Sequence, residues 1–393
     1  MIKNKNKILI VVLLLSIFFL IGCKTSNNIE NKSYNVNIDI NDINEAFIPA
    51  SEKGTSAVVG VSLYTKTNII RSWHLESTGS GAIYKGKAFM KDGSTKEIEE
   101  TKDSNDVDYY EYYVLTNAHV VNTTSTNKEI KVYLSSIDTL VDGSLLGLNA
   151  YEDLAVVKFT TSIYILPLSF SDEDVKVGEI VLAIGNPLGY EYASTVTMGI
   201  ISSASRFIGV ERDINGDGRN DWEGTVEVIQ HDAAINSGSS GGALINIKGE
   251  LVGINAMKVT DKEEKIEGIG FAIPINTVKN VLSDMEEGKT ASVNLLNKTT
   301  AYSVNDLLNR DILKLEDIPS VDLTDLNYTY GAYIYMSLGN EYGLRSGDVI
   351  IKMNEHDIYN ERMLEAYLRS YKGHKIVWTA IRNGEEIEIE YLF

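Results

Sequence analysis

Cysteine and histidine are scarce in this chain of 393 residues, and negative charge outweighs positive charge. A single cysteine excludes a disulfide framework and a cysteine-rich metal cluster. Any histidine chemistry must draw on five residues. The formal net charge of −19 argues against a nucleic-acid partner, because affinity for phosphate comes from Lys and Arg. With 44% hydrophobic residues, the sequence is typical of a packed protein of two or three domains.

The amino terminus has the pattern of an export signal. Three lysines precede an apolar run at residues 8–20, which is too short to span a bilayer but suits a signal-peptide core. The run ends in Leu20-Ile21-Gly22-Cys23, which resembles the lipobox of bacterial lipoproteins. We therefore expect an exported protein that is held at a membrane.

The lipobox resemblance implies where processing and attachment occur. Residues 1–22 are expected to be a lipoprotein signal peptide, Cys23 the lipidated residue and residues 23–50 a flexible tether. The protein would then be lipid-anchored to the outer face of the bacterial cell membrane. The alternative is an uncleaved anchor in which the cysteine is incidental, and this also gives a tethered, exported protein.

Short β-type runs separated by turn signals dominate the chain after residue 55. Ten such runs lie at residues 57–64, 81–84, 112–116, 130–134, 154–159, 180–184, 196–202, 226–229, 243–247 and 251–256. This spacing predicts an antiparallel sandwich or barrel. The charge-rich residues 85–108 are expected to form a surface loop, and residues 275–286 have helical spacing that ends before Gly288.

Three short strings carry candidate chemistry. His119 follows a strand-like segment, Asp153 precedes an apolar strand, and Ser240 lies within Gly238-Ser239-Ser240-Gly241-Gly242. Each has an ordinary interpretation by itself, as a satisfied histidine, a turn residue and a flexible loop. Together they occur in the order His, Asp, Ser, which is the order of chymotrypsin-type hydrolases.

These residue types meet the requirements of acyl transfer. A serine hydroxyl is a poor nucleophile until an imidazole accepts its proton, and a carboxylate fixes the tautomer of that imidazole. We expect His119, Asp153 and Ser240 to form such a triad. The backbone N–H groups of Gly238, Ser239 and Ser240 are expected to form an oxyanion hole, because the glycines permit a sharp turn.

From residue 55 to the end, the chain resembles the HtrA/Deg trypsin-like serine proteases with a carboxy-terminal PDZ domain. Further matching strings are Gly185-Asn186-Pro187-Leu188-Gly189, Asp232-Ala233-Ala234-Ile235-Asn236 and Gly270-Phe271-Ala272-Ile273-Pro274. The resemblance implies an all-β, chymotrypsin-like protease domain at residues 51–288. It would consist of two six-stranded antiparallel β-barrels with the triad in the cleft between them. The resemblance also suggests a homotrimer.

One position departs from the family pattern. The residue before the nucleophile is usually Asn in this family, and here it is Ser239. Either adjacent serine could attack, although the Gly-x-Ser-Gly-Gly register favours Ser240. His231 is a nearby rival base, which we interpret as structural.

The resemblance also places a substrate pocket. Ala234, six residues before Ser240, would lie at the base of the primary pocket, and Ile254, Asn255 and Ala256 would form one wall. An Arg or Lys side chain would lack a buried partner there, which is costly. We therefore expect cleavage after small aliphatic residues.

A second module follows a linker at residues 289–298. Residues 299–393 resemble a PDZ domain in a strand at 332–336, the segment 343–354, an amphipathic helix at 361–371 and an Asn383-Gly384 hairpin. PDZ domains bind peptide carboxy termini by strand addition. The nearest candidate for the carboxylate-binding loop is Ala301-Tyr302-Ser303-Val304, which lacks the usual glycine.

An Asp-rich segment predicts a structural calcium site. The candidate ligands are Asp213, Asn215, Asp217, the carbonyl of Arg219, and Asp221. Alternate side-chain oxygens followed by Gly218 are typical of the start of a calcium loop, although Gly224 stands where an EF-hand has Glu. The alternative is a solvated turn, which Asn, Asp and Gly favour anyway.

The sequence thus favours a membrane-tethered serine endopeptidase. Its substrates would be misfolded or exported proteins, and catalysis would need no cofactor. The alternative is a catalytically silent PDZ scaffold or chaperone-like holdase, which the complete triad disfavours. An esterase is a weaker hypothesis, because the serine does not lie in an α/β-hydrolase motif.

Overall fold

The computed structural model describes eleven stretches of the chain. They are residues 40–66, 72–102, 104–186, 190–258, 268–289, 299–313, 319, 328–337, 341–354, 356–370 and 375–392. The expected signal peptide, Cys23, the string Pro187-Leu188-Gly189 and nearly all of the expected linker lie outside these residues.

Five helices and nineteen strands lie in the described residues. The helices are α1 (Ile40–Ala57), α2 (Ala118–Val121), α3 (Ile275–Glu286), α4 (Val304–Leu313) and α5 (Glu361–Ser370). The strands are β1 (Val58–Thr65), β2 (His74–Met90), β3 (Thr95–Lys96), β4 (Val107–Thr116), β5 (Lys128–Leu134), β6 (Thr139–Asn149), β7 (Leu154–Thr161), β8 (Ile180–Gly185), β9 (Thr195–Arg212), β10 (Trp222–His231), β11 (Ala243–Asn246), β12 (Leu251–Lys258), β13 (Gly270–Pro274), β14 (Thr299–Ser303), β15 (Ala332–Ser337), β16 (Val349–Met353), β17 (His356–Asp357), β18 (Lys375–Arg382) and β19 (Glu385–Leu392). None of these helices is long and apolar enough to cross a membrane.

The first barrel is a ring of six antiparallel strands in the order β1-β5-β6-β7-β4-β2, which pairing of β1 with β2 closes. β3 adds to the edge at β2. Alternate residues of these strands point inward. The buried interior includes Val61, Leu63, Ile83, Val132 and Val157.

The expected surface loop at residues 85–108 is strand at both ends, and residues 95–96 form the short strand β3, so the prediction is wrong for those parts of the segment. β2 continues to Met90, and β4 begins at Val107 and pairs with it. The polar residues occupy one face, while Ala88 and Tyr110 are buried on the other. An antiparallel strand can keep one face in solvent, so its polar residues resemble those of a loop in the sequence. One apolar face is enough to hold it in the sheet.

The second barrel closes in the order β10-β13-β12-β11-β8-β9. Val181, Ile201, Ile229, Leu244 and Val252 form part of its buried interior. The two barrels confirm the expected all-β, trypsin-like architecture. The paired ends of β9 and β10 extend as a long hairpin, with Arg212 opposite Trp222.

The carboxy-terminal module is an antiparallel sheet with two helices, consistent with the expected PDZ domain. Its strands run β14-β15-β16-β18-β19, with β17 beside β16. Trp378, Leu364 and Leu368 are fully buried in its core. The hairpin of β18 and β19 turns at Asn383 and Gly384, which both have positive φ.

Helix α1 shortens the expected flexible tether. The tether was expected to reach residue 50, yet α1 begins at Ile40. Ala50 is buried, and Phe47 packs against a core cluster that includes residues of both barrels. This apolar face orders the segment, because burial offsets the entropy lost on helix formation.

Candidate active site

His119 lies on the short helix α2, directly after β4. Its imidazole is half-exposed, and Nδ1 lies 2.9 Å and 3.0 Å from the two carboxylate oxygens of Asp153. The backbone N–H of His119 donates to the same carboxylate at 3.0 Å. The Nδ1 side of the ring is therefore occupied, which leaves Nε2 as the free nitrogen for proton transfer.

Asp153 is held in the tight turn between β6 and β7. Its φ of 57° is in the left-handed region, where a non-glycine residue persists only if its surroundings hold it. The Asn117 side chain donates to the backbone carbonyl of Asp153 at 2.9 Å. Asn117 is wholly buried and lies between β4 and His119, so its hydrogen bond ties the Asp153 turn to the segment that carries the histidine.

The electrostatics of this pair favour its charged form. The carboxylate of Asp153 raises the pKa of His119, although burial and the positive charge of Arg212 oppose the shift. Burial by itself would raise the pKa of Asp153, but His119 and Arg212 outweigh it and lower that pKa. A carboxylate that stays ionised can stabilise an imidazolium during proton transfer.

Ser240 lies in a glycine-rich turn before β11. Its Oγ donates to the backbone carbonyl of Ala256 at 3.1 Å. Within the described residues, no hydrogen bond joins Ser240 to His119. Gly241 has a φ of 83°, and a Cβ there would collide with the backbone oxygen of Ser80. Only glycine therefore permits this close approach of the two barrels.

Ser80 on β2 positions the serine turn, and the sequence analysis missed it. Its N–H donates to the carbonyl of Ser240 at 2.7 Å, and its Oγ donates to the carbonyl of Gly238 at 2.6 Å. The signal was the string Gly79-Ser80-Gly81 inside a strand, because glycine there indicates close backbone approach. A Cβ on Gly79 would lie 2.8 Å from the Ser240 carbonyl oxygen.

Two backbone N–H groups are available near the serine. Those of Gly238 and Ser240 have no hydrogen-bond acceptor among the described residues. The N–H of Ser239 instead donates to the carbonyl of Asn236 at 2.8 Å. The expectation that Ser239 also lends its amide to an oxyanion hole is therefore wrong, since that amide closes the turn.

Comparisons with known proteins agree with this arrangement. A family model of the trypsin-like peptidase domain matches residues 103–254, a range that includes all three candidate triad residues. A serine protease Do-like HtrA of Lactococcus lactis subsp. cremoris is 32% identical over 355 residues, which cover 88% of this chain and 80% of the relative. The chain belongs to the Do-like HtrA serine proteases. A second relative of that name, from Bacillus subtilis, is 34% identical over 70% of this chain and 59% of its own length.

Membership of the HtrA family establishes the general chemistry. The chain is a trypsin-like serine peptidase, its substrates are proteins, and the family needs no cofactor for catalysis. The two-barrel architecture agrees with the trypsin-like peptidase domain of the matching family model.

The HtrA pocket residues are divided between two cavities. Ala234 and Asn255 line a cavity of about 20 Å³ beside Ser239, with room for about one water molecule. Ala256 instead lines a cleft of about 650 Å³ that contains His119 and Asp153. Ile254 is fully buried on β12 of the second barrel, in a core cluster that includes residues of both barrels, and it lines neither cavity. The single expected wall is therefore wrong, because successive residues of β12 point to opposite faces.

His231 is remote from proton-transfer chemistry in this HtrA protein. It is fully buried on β10, and neither ring nitrogen has a hydrogen-bond partner in the described part of the chain. Burial lowers its pKa to about 4. A neutral, enclosed imidazole fits the structural interpretation made from the sequence.

The Asp-rich loop of this HtrA protein uses its oxygens in hydrogen bonds. The Asp213 carboxylate accepts from the N–H groups of Gly216 and Gly218 at 2.7 Å and 2.6 Å. The Asp221 carboxylate accepts from the N–H of Ile214 and the side chain of Asn215, both at 2.8 Å. Among the described residues, no three acidic, His or Cys side chains converge as metal ligands. The loop geometry therefore gives the predicted calcium site no support and fits the solvated turn.

Proposed function

We propose that the chain is a membrane-tethered serine endopeptidase that cleaves misfolded or exported proteins through an acyl-enzyme. Ser240 is the nucleophile, His119 the general base and Asp153 the residue that orients the base. The observation that carries the proposal is the double contact of Asp153 with His119 Nδ1, at 2.9 Å and 3.0 Å. It leaves Nε2 free on a ring that lines the cleft, and the Asp153 carboxylate raises the pKa of that ring.

The reaction begins with a rotation of the Ser240 side chain. Its Oγ leaves the carbonyl of Ala256 and donates to Nε2 of His119, a contact that often tightens only when substrate binds. Oγ then attacks the scissile carbonyl carbon while Nε2 takes the proton. The N–H groups of Gly238 and Ser240 stabilise the oxyanion, with about 2.7–4 kcal/mol per donor.

Collapse of the tetrahedral intermediate completes acylation. The C–N bond breaks, and the imidazolium of His119 returns its proton to the leaving amine. A water molecule then attacks the acyl-enzyme ester, His119 takes a proton from that water, and Ser240 recovers its proton as the acid product leaves.

Small aliphatic residues are the proposed cleavage sites. Ala234 and Asn255 line the small cavity beside the serine turn, and neither offers a carboxylate to a buried Lys or Arg. The Thr197 hydroxyl, which donates to the carbonyl of Ala234 at 2.7 Å, narrows the same cavity. Sequencing the peptides released from denatured casein should show cleavage mainly after Val, Ala, Ile or Thr. A dominant preference for Lys or Arg would disprove this pocket assignment.

Casein hydrolysis also separates the proposed enzyme from the silent scaffold or holdase. The full chain should release peptides, and Ser240→Ala should release none. The holdase would be favoured if neither protein released peptides and both suppressed the aggregation of casein equally.

Tethering is proposed through Cys23 after removal of residues 1–22, with the protease domain at residues 51–288 and the PDZ domain at residues 299–393. The protein would face outward from the bacterial cell membrane. Cys23→Ala should release it from membranes or block its maturation. A variant that stays membrane-bound with the mass of the wild type would contradict lipidation.

The PDZ domain is proposed to bind peptide carboxy termini, and the assembly to be a homotrimer. The proposed carboxylate-binding segment is Ala301-Tyr302-Ser303-Val304, which comprises the end of β14 and the first residue of α4. Titration with peptides that end in a free or an amidated carboxylate would test the first proposal, since only the free carboxylate should bind. Sedimentation of the purified chain would test the second. Calcium is proposed only as a structural ion.

A further inference from the structure

An arginine of the carboxy-terminal module is buried against the protease barrels. Arg369 on α5 is 7% exposed, and its Nε lies 3.4 Å from the carboxylate of Glu152, which is 4% exposed. The two residues are 217 positions apart in the chain. A buried charge is costly unless an opposite charge accompanies it. The two charges compensate each other only when the carboxy-terminal module packs against the turn that carries Glu152.

Aromatic rings surround this ion pair. The Arg369 guanidinium carbon lies 5.1 Å from the ring centre of Trp222 on β10. The Trp222 ring in turn meets Tyr151 edge to face at 5.4 Å. A cation over a tryptophan face is attracted by the ring quadrupole. Docking is extended by Phe207 of β9, which packs on Tyr367 of α5 at 5.3 Å.

The ion pair adjoins the strained turn that carries the aspartate. Glu152 immediately precedes Asp153, so the two share a peptide bond. The N–H of Glu152 donates to Asn149 Oδ1 at 3.1 Å, and the Arg212 guanidinium donates to the carbonyl of Tyr151. Asp153 has a left-handed backbone conformation, which persists only when surrounding contacts fix it. Arg369 supplies such a contact at the adjacent residue, Glu152.

We propose that Arg369 is a positioning residue for catalysis. By fixing Glu152 it fixes the adjacent Asp153, and through Asp153 it orients the imidazole of His119. The inference rests on the proposed function, because it assumes that His119 and Asp153 serve Ser240. It links the carboxy-terminal module to the chemical step whether or not that module holds a peptide.

The arginine contact has a specific chemistry. Among the residues that the structure describes, Arg369 Nη2 has no hydrogen-bond partner, and the guanidinium contacts the Glu152 carboxylate and the Trp222 face. Glu365 and Glu227 are acidic groups near this site. Burial raises the pKa of Glu365, which the charge of Arg369 only partly offsets. Burial also raises the pKa of Glu227, and the charge of Glu152 adds to that rise. Lysine would keep the charge but lose the planar stacking, whereas methionine would keep only the apolar length.

The test compares Arg369→Met with Arg362→Met in the full chain. Arg362 lies on the same helix but is exposed, so it is the matched control. We expect kcat for Arg369→Met to fall about 10- to 100-fold, with KM within about twofold, because misplaced catalytic groups slow chemistry without weakening binding. Labelling of Ser240 by a fluorophosphonate should slow in parallel. Arg362→Met should match the wild type.

A pH profile separates positioning from simple stabilisation. The charged groups that face His119 are Asp153 and Arg212, and neither is changed in these variants. A displaced Asp153 should move the acid limb of kcat/KM to lower pH, and Arg369→Lys should recover part of the rate. If Arg369→Met does not fold, Glu152→Gln replaces it, with an expected loss of kcat of at least about threefold and the same shift.

Two results would overturn the inference. One is an unchanged kcat in a folded Arg369→Met or Glu152→Gln variant. The other is a loss of rate that follows the melting temperature, with an unmoved acid limb and no recovery in Arg369→Lys. A wild-type chain that neither hydrolyses casein nor reacts with the probe would instead reject the proposed function.

Discussion

The two halves of the proposed catalytic site are held in different ways. In the first barrel, His119 and Asp153 are joined through the ring and through the backbone, and Asn117 secures the turn. In the second barrel, Ser240 donates to Ala256 and not to the histidine. The base is therefore preassembled, whereas the nucleophile must rotate. The rotation exchanges one hydrogen bond for another, and each is worth only about 0.5–1.5 kcal/mol.

The difference follows from the local backbone. Asp153 sits in a strained turn between two core strands, where several contacts act together to hold it. Ser240 sits among glycines, which allow close approach but provide no side chains to hold the hydroxyl. In the proposed site, substrate binding could therefore complete the triad through rotation of the Ser240 side chain, without movement of either barrel.

Removing the nucleophile should have the largest effect. Ser240→Ala should reduce kcat roughly 10⁴- to 10⁶-fold, because no other hydroxyl can form the acyl-enzyme. The matched control is Ser239→Ala. Ser239 is buried, and its hydroxyl accepts a 3.4 Å contact from the N–H of Asn236, so this variant should stay within about threefold of the wild type. Initial rates on casein and mass mapping of a fluorophosphonate adduct would measure both, and an adduct on Ser239 would reverse the assignment.

Breaking the preassembled half should have the next largest effect. Asp153→Asn should lower kcat about 10⁴-fold, because an amide no longer fixes the tautomer of His119. In the wild type the pKa of His119 is raised above its ordinary value near 6.5, and the base works only when neutral. Activity should therefore be lost as pH falls through a midpoint above 6.5. The variant should move that midpoint downward, and an unmoved acid limb would show that the carboxylate does not set it.

The two barrels also differ in how they hold histidine, and this difference should appear in stability. His231 is neutral and buried with a pKa of about 4, so the unfolded chain binds a proton more readily than the folded one. Stability is complete above pH 6.5 and is lost as pH falls toward 4, by about 2 kcal/mol between pH 7 and 4.5. Urea unfolding at both pH values should show this loss in the wild type and less of it in His231→Leu. Equal pH dependence in the two proteins would contradict the assignment.

Calcium should have the smallest effect, and any effect should appear near His119, in the more rigid half of the proposed site. The Asp-rich loop lies against the segment after His119, where Asn122 donates to the carbonyls of Asp213 and Ile214. The calcium prediction requires the loop to release hydrogen bonds it already makes, so binding should be weak, with a Kd of roughly 10⁻⁴–10⁻³ M. Calorimetric titration of the wild type and Asp217→Ala would decide it. The absence of binding heat and of any melting shift in the wild type would end the hypothesis.

Much of the fold was readable from local patterns. The short apolar runs predicted an antiparallel sandwich or barrel, and the Asn383-Gly384 turn predicted the final hairpin, because both signals depend on neighbouring residues. The pattern failed at the two ends of residues 85–108, where β2 continues to Met90 and β4 begins at Val107. The pocket wall that the family resemblance implied also failed at Ile254, because a resemblance in sequence does not say which side chains of β12 face the pocket.

The sequence by itself determined the chemistry that is available: one histidine after a strand, one aspartate before a strand and one serine among glycines, in a fixed order. Only the tertiary structure decided how these groups are held. The contact of Ser80 with the serine turn joins residues 160 positions apart across two barrels, and that of Arg369 with Glu152 joins the carboxy-terminal module to the aspartate turn. Such contacts leave no periodic trace in the chain, because they depend on burial and on the geometry of distant strands rather than on adjacent residues.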